Sequence, residues 1–166
     1  MLSNKSAWTD KIKDALGPDY VCLHSISLVA THLVVFVHKF LLPFIKNLKV
    51  SQCATGIMNR IGNKGGIGIG FNVGETSLLF VCCHLSSGQS KFKWRTEDFL
   101  TLERTLMFEE MKSPSESTLD YWVSDKYDAV IWVGDLNFWI NLGLDTVFLN
   151  LKKGNYEVLL ANDQLI

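Results

Sequence analysis

Apolar and polar positions along the chain change period several times, and each change marks an element. Ser3 or Asn4 is placed to cap a first helix in which Trp8, Ile12, Ala15 and Leu16 share one face; Gly17-Pro18 ends it. From Tyr20 to Leu28, apolar residues alternate with small or polar ones, as in a strand, and the valine-rich stretch Leu33 to Val37 predicts a second. A short apolar segment containing Pro43 follows. Val50 to Ile57 and Ile67 to Val73 read as strands around a glycine-rich loop, and after a turn at Gly74-Glu75 a strongly apolar strand runs from Ser77 to His84. Beyond a polar loop, Ser86 to Lys93, helical spacing through Phe99, Leu102, Leu106 and Phe108 predicts a helix over 96–111. Lys112 to Lys126 reads as a loop, Ala129 to Val133 as a buried strand, and helical stretches begin near Leu144 and cover Tyr156 to Ala161. Strands that both pair in hairpins and alternate with helices predict a layered α/β fold with a mixed sheet. No repeat or internal boundary divides the 166 residues.

Composition adds three points. The net charge of -1 and the lack of a basic stripe argue against nucleic acid as a ligand. No run approaches the ~18 consecutive apolar residues of a membrane-crossing helix, and the polar first fifteen residues are unlike a signal peptide. Cys22, Cys53, Cys82 and Cys83 have no framework spacing and read as reduced thiols of a cytoplasmic protein, most of them buried in strands, with Cys82 and Cys83 on opposite faces. Hydrophobic residues at 48%, charged residues at 20% and a mean hydropathy of +0.15 are apolar for a small domain, as for a piece of a larger core.

Candidate chemistry gathers at strand ends. In Asp128-Ala-Val-Ile-Trp-Val-Gly-Asp-Leu-Asn137 an apolar strand runs into Gly134 and then Asp135 and Asn137. Polar residues just past a strand's C-terminal end are placed to meet ligand in α/β sheets. At i, i+2 spacing, a carboxylate that accepts a proton from water and an amide that donates to a phosphate oxygen can face one pocket. A plain Asx turn closing an ordinary strand is the other reading. His84 ends the preceding apolar strand in the same manner; it is either a phosphate-binding imidazole or a core histidine with its hydrogen bonds satisfied. Ile61-Gly-Asn-Lys-Gly-Gly66 fits neither a P-loop nor a dinucleotide fingerprint. It leaves Asn63 and Lys64 as anion contacts on a strand-connecting loop, or as a solvated hairpin tip. The four histidines form no zinc spacing, and there is no nucleophile elbow.

Together these segments resemble the inositol polyphosphate 5-phosphatases. Thr55-Gly…Gly62-Asn-Lys-Gly65 resembles their T-G-(6)-G-N-K-G segment. His84-Leu-Ser-Ser-Gly-Gln-Ser90 with Arg95-Thr-Glu-Asp-Phe99 resembles H-x-A-x-G-Q-S and R-N-x-D-[FY]. Trp132-Val-Gly-Asp-Leu-Asn-Phe138 resembles W-x-G-D-x-N-[FY]-R, and Asp163-Gln-Leu165 resembles their D-Q-L. The Gly-Gln-Ser and the spacing from Asp135 to Asp163 are most similar to the synaptojanin branch. The resemblance implies a deoxyribonuclease I-like four-layer α/β sandwich, largely antiparallel, and hydrolysis of the 5-phosphate of phosphoinositides or soluble inositol phosphates with magnesium. By position, it implies that Asp135 activates water, that Asn137 and His84 contact the scissile phosphate, and that Asn63 and Lys64 meet the 1-phosphate near a membrane surface. Arg95 and Asp98 support the site, paired with each other or with nearby loops. The protein is then cytoplasmic and peripheral to membranes.

The resemblance also implies absences and departures. The family's glutamate metal ligand falls before Met1, and its P-x-W-x-D-R and S-D-H segments fall after Ile166. The expectation is one partial domain over 1–166 that lacks a complete metal site, is weak or inactive alone, and leaves core for a partner to cover. Trp139 stands where the family has arginine, Thr96 where it has asparagine, and Ser86-Ser87 where it has alanines. Two alternatives to the enzyme are a phosphoinositide-binding remnant without turnover and, less supported, a nuclease of the same superfamily.

Overall fold

A computed structural model describes residues 5–56, 63–111 and 120–166, without the side chains of 108 and 110. The predicted cap at Ser3 or Asn4, the loop residues 57–62 and the segment 112–119 lie outside the described residues. The element order is α1 (Lys5–Leu16), β1 (Tyr20–Leu28), β2 (Thr31–His38), β3 (Ile45–Ala54), β4 (Gly65–Val73), β5 (Thr76–His84), α2 (Phe92–Thr105), α3 (Phe108–Met111), β6 (Ala129–Asp135), α4 (Leu144–Lys153) and α5 (Tyr156–Leu160). Short 3₁₀ turns cover Lys39–Phe44, Gln89–Lys91 and Val123–Lys126.

β1 and β2 form an antiparallel hairpin. β3, β4, β5 and β6 form a second sheet in that order, antiparallel except for the parallel β5–β6 pair. Period-two alternation builds the layers. Leu33, Val35 and Val37 of β2 meet Ile67, Ile69 and Phe71 of β4 and bury one face of the large sheet against the hairpin. The odd-numbered β5 residues Leu79, Val81 and Cys83 point the other way, onto Leu102, Leu106 and Met107 after β5 and onto Tyr121 and Val123. α1 packs on the outside of the hairpin, so the layers run helix, hairpin, sheet, helix. On the α2 side β4 presents glycine, and a Cβ at Gly66 would lie 2.8 Å from Leu102 Cδ1, so α2 seats closely on the strand.

Several expectations change. The helix over 96–111 is two: it starts at Phe92, and at Met107 the backbone turns left-handed (φ 59°) between α2 and α3. The apolar face of α1 stays open, with Trp8 66% exposed and no buried residue in the helix, because the hairpin's own apolar side faces the large sheet. The strand expected to be buried, Ala129–Val133, is longer and less buried. It pairs only with β5 among the described strands, and while Val130 and Trp132 pack on the core, Ile131 and Val133 face outward. Cys82 and Cys83 do take opposite faces, but only Cys83 is fully buried, and Cys22 is exposed. α4 buries no residue, and Leu144 and Phe148 are exposed on it. Among the described residues no helix is long and apolar enough to cross a membrane.

At the edge where β5 and β6 begin, Ser77 and Asp128 bond reciprocally. The Ser77 backbone N–H and hydroxyl each donate to Asp128 Oδ2 at 2.7 Å, and the Asp128 N–H donates to Ser77 Oγ at 2.9 Å. These bonds to the charged carboxylate hold the Asp128 pKa below its ordinary 3.8. A lowered folded-state pKa contributes stability that is present above the ordinary value and is lost as pH falls through the lowered one. Acid titration of unfolding is therefore expected to show a limb just below pH 4 that Asp128→Asn removes.

Candidate functional site

The registers of three strands meet at the opposite edge of the sheet. Gly65, the first residue of β4, pairs with His84, the last of β5, and His84 pairs with Asp135, the last of β6. Lys64, one residue before β4, therefore lies beside both strand ends. Its Nζ is 2.5 Å from His84 Nε2, and Asp135 Oδ2 is 3.6 Å from the same nitrogen. These two contacts ask different things of the imidazole. An ammonium only donates, so in the short contact Nε2 is the acceptor. The 3.6 Å approach is too long for a hydrogen bond and is a close contact only.

Charge at the cluster is mixed. Desolvation lowers the pKa of Lys64 from its ordinary 10.5, while the carboxylates of Asp135 and Asp98 act to raise it. Burial, reinforced by Cys82, Asp135 and Asp98, pushes the Cys83 thiol beneath the cluster up to about 12, which makes it a poor nucleophile. Asp135 itself is open, with a side chain 63% exposed.

Local backbone explains the G-D-x-N spacing. Gly134 has φ 118°, and a Cβ there would stand 2.1 Å from the Cys83 carbonyl oxygen. Only glycine lets β6 approach β5 this closely at its end. Leu85 N–H then donates to Asp135 O at 3.0 Å, which carries the pairing one step past the strands. Asn137 sits at φ 55°, its N–H donating to Asp135 Oδ1 at 3.0 Å and its Nδ2 to Leu85 O at 2.9 Å. An Asx turn is thus present, and it coexists with a site: Asp135 and Asn137 line one open cavity of about 530 Å³ with Gln89, Trp139, Leu142 and Leu144. Trp139 takes part in this wall at 47% exposure. Asn63 is exposed on its loop, next to Lys64.

Arg95 and Asp98 do not pair with each other. Both brace the loop after β5. Asp98, 5% exposed, accepts from Ser86 N–H at 2.8 Å. Arg95, fully buried, donates to Ser86 O at 3.1 Å, to Gly88 O at 2.7 Å and to Gln164 Oε1, with Phe138 against its guanidinium at 5.4 Å. Gln164 is the residue whose role the sequence reading missed. Its Oε1 also accepts from Trp139 N–H, and its Nε2 donates to Gln89 O and Asn141 Oδ1, so one buried amide joins the loops after β5 and β6. The Asp163-Gln-Leu165 segment was its signal, visible as a likeness but without a geometry. Thr96 satisfies itself on Phe92 O at 3.3 Å, and at Ser86 the backbone N–H and carbonyl carry the bracing bonds.

Comparison with known proteins agrees with this architecture. Residues 1–166 match the family model described as Endonuclease/Exonuclease/phosphatase family 2. Human synaptojanin-1 is 36% identical over 166 residues, covering 99% of this chain and 10% of that protein. Type I inositol polyphosphate 5-phosphatase 4 of Arabidopsis thaliana is 35% identical over 158 residues, covering 94% of this chain and 29% of the relative. Among solved structures, the inositol polyphosphate 5-phosphatase domain of spsynaptojanin, in complex with inositol (1,4)-bisphosphate and calcium ion, superimposes with a TM-score of 0.80 at 30% identity. It covers 99% of this chain, which spans 47% of that domain's chain. A Cimex nitrophorin ferrous NO complex matches at TM-score 0.62 and 18% identity and shows the fold alone.

Proposed function

Because this chain belongs to Endonuclease/Exonuclease/phosphatase family 2, we propose that its strand-end cluster handles phosphate in an inositol polyphosphate 5-phosphatase reaction. The substrate class is the 5-phosphate of phosphoinositides or of soluble inositol phosphates; two relatives are named as inositol polyphosphate 5-phosphatases. The observation that carries this reading is the meeting of Lys64, His84 and Asp135 at three paired strand ends, with Asn137 one turn on.

The roles follow from the groups. The open Asp135 carboxylate accepts a proton from an attacking water. Asn137 uses one amide hydrogen on Leu85 O and keeps the other for a phosphate oxygen. His84 bonds the same phosphate from the other side. Asn63 and Lys64 meet the 1-phosphate, for which the Lys64 side chain leaves His84; the charge of a second phosphate favours that move. Arg95, Asp98 and Gln164 hold the loops that carry these groups. With lipid substrates the reaction lies at a membrane surface, and the protein is cytoplasmic and peripheral, with a partner over the exposed residues of α4.

Magnesium, which the family resemblance implies, wants a near-octahedral shell of oxygens. Among the described residues no three histidines, cysteines or carboxylates gather to hold a metal. Asp135 brings one carboxylate with one oxygen already on Asn137, and Asp98 is buried on Ser86. This donor set does not fit such a cage, and no step here runs through a metal.

A second reading, phosphoinositide binding without turnover, is favoured by Trp139. It puts an indole into the cavity wall beside Asp135 where the family carries a guanidinium with five donors.

The test is phosphate release from short-chain phosphatidylinositol 4,5-bisphosphate with and without magnesium, alongside headgroup binding by calorimetry. Release that Asp135→Asn lowers by about 10²-fold or more is the result expected of the enzyme. Saturable binding without release, weakened about tenfold by Lys64→Ala, selects the binding reading. Cleavage of abasic DNA would sink both.

A further inference from the structure

Before Gly134, little in the sequence of β6 fixes its register on β5. Ala129-Val-Ile-Trp-Val133 is apolar on both faces, so a shift along β5 meets little penalty from burying the wrong side chains. The strand pairs with β5 alone among the described strands, and the two are joined through residues 85–128 rather than by a tight turn. A hairpin takes its register from its turn, as β4 and β5 do at Gly74-Glu75; a parallel pair with a long crossover has no such device. Yet the site depends on this register. A two-residue slip keeps every side chain on its face but moves Asp135 by about 6.6 Å along the strand, away from His84.

We propose that Ser77 and Asp128, at the end of the sheet remote from the site, are positioning residues that set the β5–β6 register and thereby hold Asp135 level with His84. Ser77 lies seven residues before His84, and Asp128 lies seven before Asp135. The reciprocal bonds between them extend the ladder Leu78↔Ala129 to His84↔Asp135 by one pair at its start. They also make the start of β6 directional. Asp128 offers a carboxylate that takes both Ser77 donors and a backbone N–H that takes the Ser77 lone pair, whereas in a slipped register Leu79, with no polar side chain, or Glu75 would face it. At the site end, Leu85 N–H on Asp135 O and Asn137 Nδ2 on Leu85 O accept the register that the clamp selects.

This inference rests on reading His84 and Asp135 as the phosphate-handling pair, but its test does not depend on turnover. In isotope-labelled protein, amide-to-Hα NOEs linking Val81 to Trp132 and Cys83 to Gly134 report the register. The shift of the His84 ring signals on introducing Asp135→Asn reports the contact at the site. The expected result for Ser77→Ala/Asp128→Ala is a second, slipped set of NOEs and loss of the His84 response, whereas Ser77→Thr with Asp128 intact, which keeps the hydroxyl, retains the single register and the response. Val35→Ala, which loosens the hairpin core, is the stability control and is expected to leave both readouts unchanged. A single register and an intact His84 response in the double variant would overturn the proposal and leave the clamp a contributor to stability only. If the double variant does not fold, Ser77→Ala alone decides on the same two readouts. Absence of phosphate release, by contrast, bears on the functional reading and leaves the register result standing.

Discussion

Gly134→Ala is expected to lower the free energy of unfolding by about 3–5 kcal/mol and to disconnect Asp135 from His84. Two costs add. A non-glycine residue at φ 118° stores of order 1–3 kcal/mol of backbone strain. A methyl 2.1 Å from the Cys83 carbonyl oxygen is worse than ordinary overpacking, which itself costs about 1–3 kcal/mol, because the obstacle is backbone in a sheet and cannot rotate away. The relief available is to part β6 from β5 at their ends. That breaks Leu85 N–H on Asp135 O and lengthens the 3.6 Å approach of Asp135 to His84. Urea unfolding should show a lower midpoint at unchanged slope. Amide exchange should rise at Leu85 and Asn137 while the Leu79 and Val81 amides stay protected. A stability change under about 1 kcal/mol would mean that the strand end relaxes freely, and that the close approach of the two strands is not what positions Asp135.

Arg95→Met is expected to cost about 3 kcal/mol and to release the loop after β5. Methionine fills most of the volume, so the loss isolates the guanidinium. Three oxygens lose the guanidinium: Ser86 O is left without it, while Gly88 O keeps Lys91 N–H and Gln164 Oε1 keeps Trp139 N–H. A hydrogen bond to a charged group contributes about 1.5–3 kcal/mol, and leaving Ser86 O unsatisfied adds about 1–3 kcal/mol, less what water returns to it. Burial also lowers the Arg95 pKa below its ordinary value, and among the described residues no carboxylate pairs with it, so part of the loss is recovered by removing a desolvated charge. That is why the estimate stays near the worth of one or two groups. Arg95→Lys should recover less than half, since an ammonium has no planar fork to span both the loop and Gln164. The readouts are the unfolding midpoint and exchange at Ser86 to Gln89. If only the midpoint moved, Arg95 would be a packing residue with no hold on the loop that follows His84.

Much of this was legible beforehand, for an identifiable reason. Alternation marked β1, and apolar or valine-rich runs marked β2, β4 and β5 to within two residues, because strands packed on a core must be apolar; β3 was the exception, running Ile45–Ala54 rather than from Val50 to Ile57. The opposite-facing Cys82 and Cys83 followed from strand alternation. Gly134, Asp135 and Asn137 could be singled out because glycine, a carboxylate and an amide behind an apolar run are a local arrangement, and local arrangements are written in consecutive residues. The glycine-rich loop and His84 were visible for the same reason.

What sequence alone left open was everything set by non-local pairing. β6 was read as buried because its residues are apolar on both sides; its place at the edge of the described sheet is a property of strand order, which no single strand encodes. The break at Met107 was hidden because Leu106 and Phe108 continue an apolar rhythm through a left-handed residue. Arg95 and Asp98, three apart on one helix, were as well spaced for each other as for a loop, and the fold sent both to the loop after β5. Gln164 carried no chemical signal, since an amide becomes a junction only when four partners from distant segments surround it. By itself, then, the sequence determined which residues form strands and helices and which polar groups stand at their ends, because burial and turn chemistry act over a few neighbouring residues. Only the tertiary structure decided that Lys64, His84 and Asp135 share one edge and that Gln164 ties the loops around it, because register and strand order arise from contacts between segments far apart along the chain.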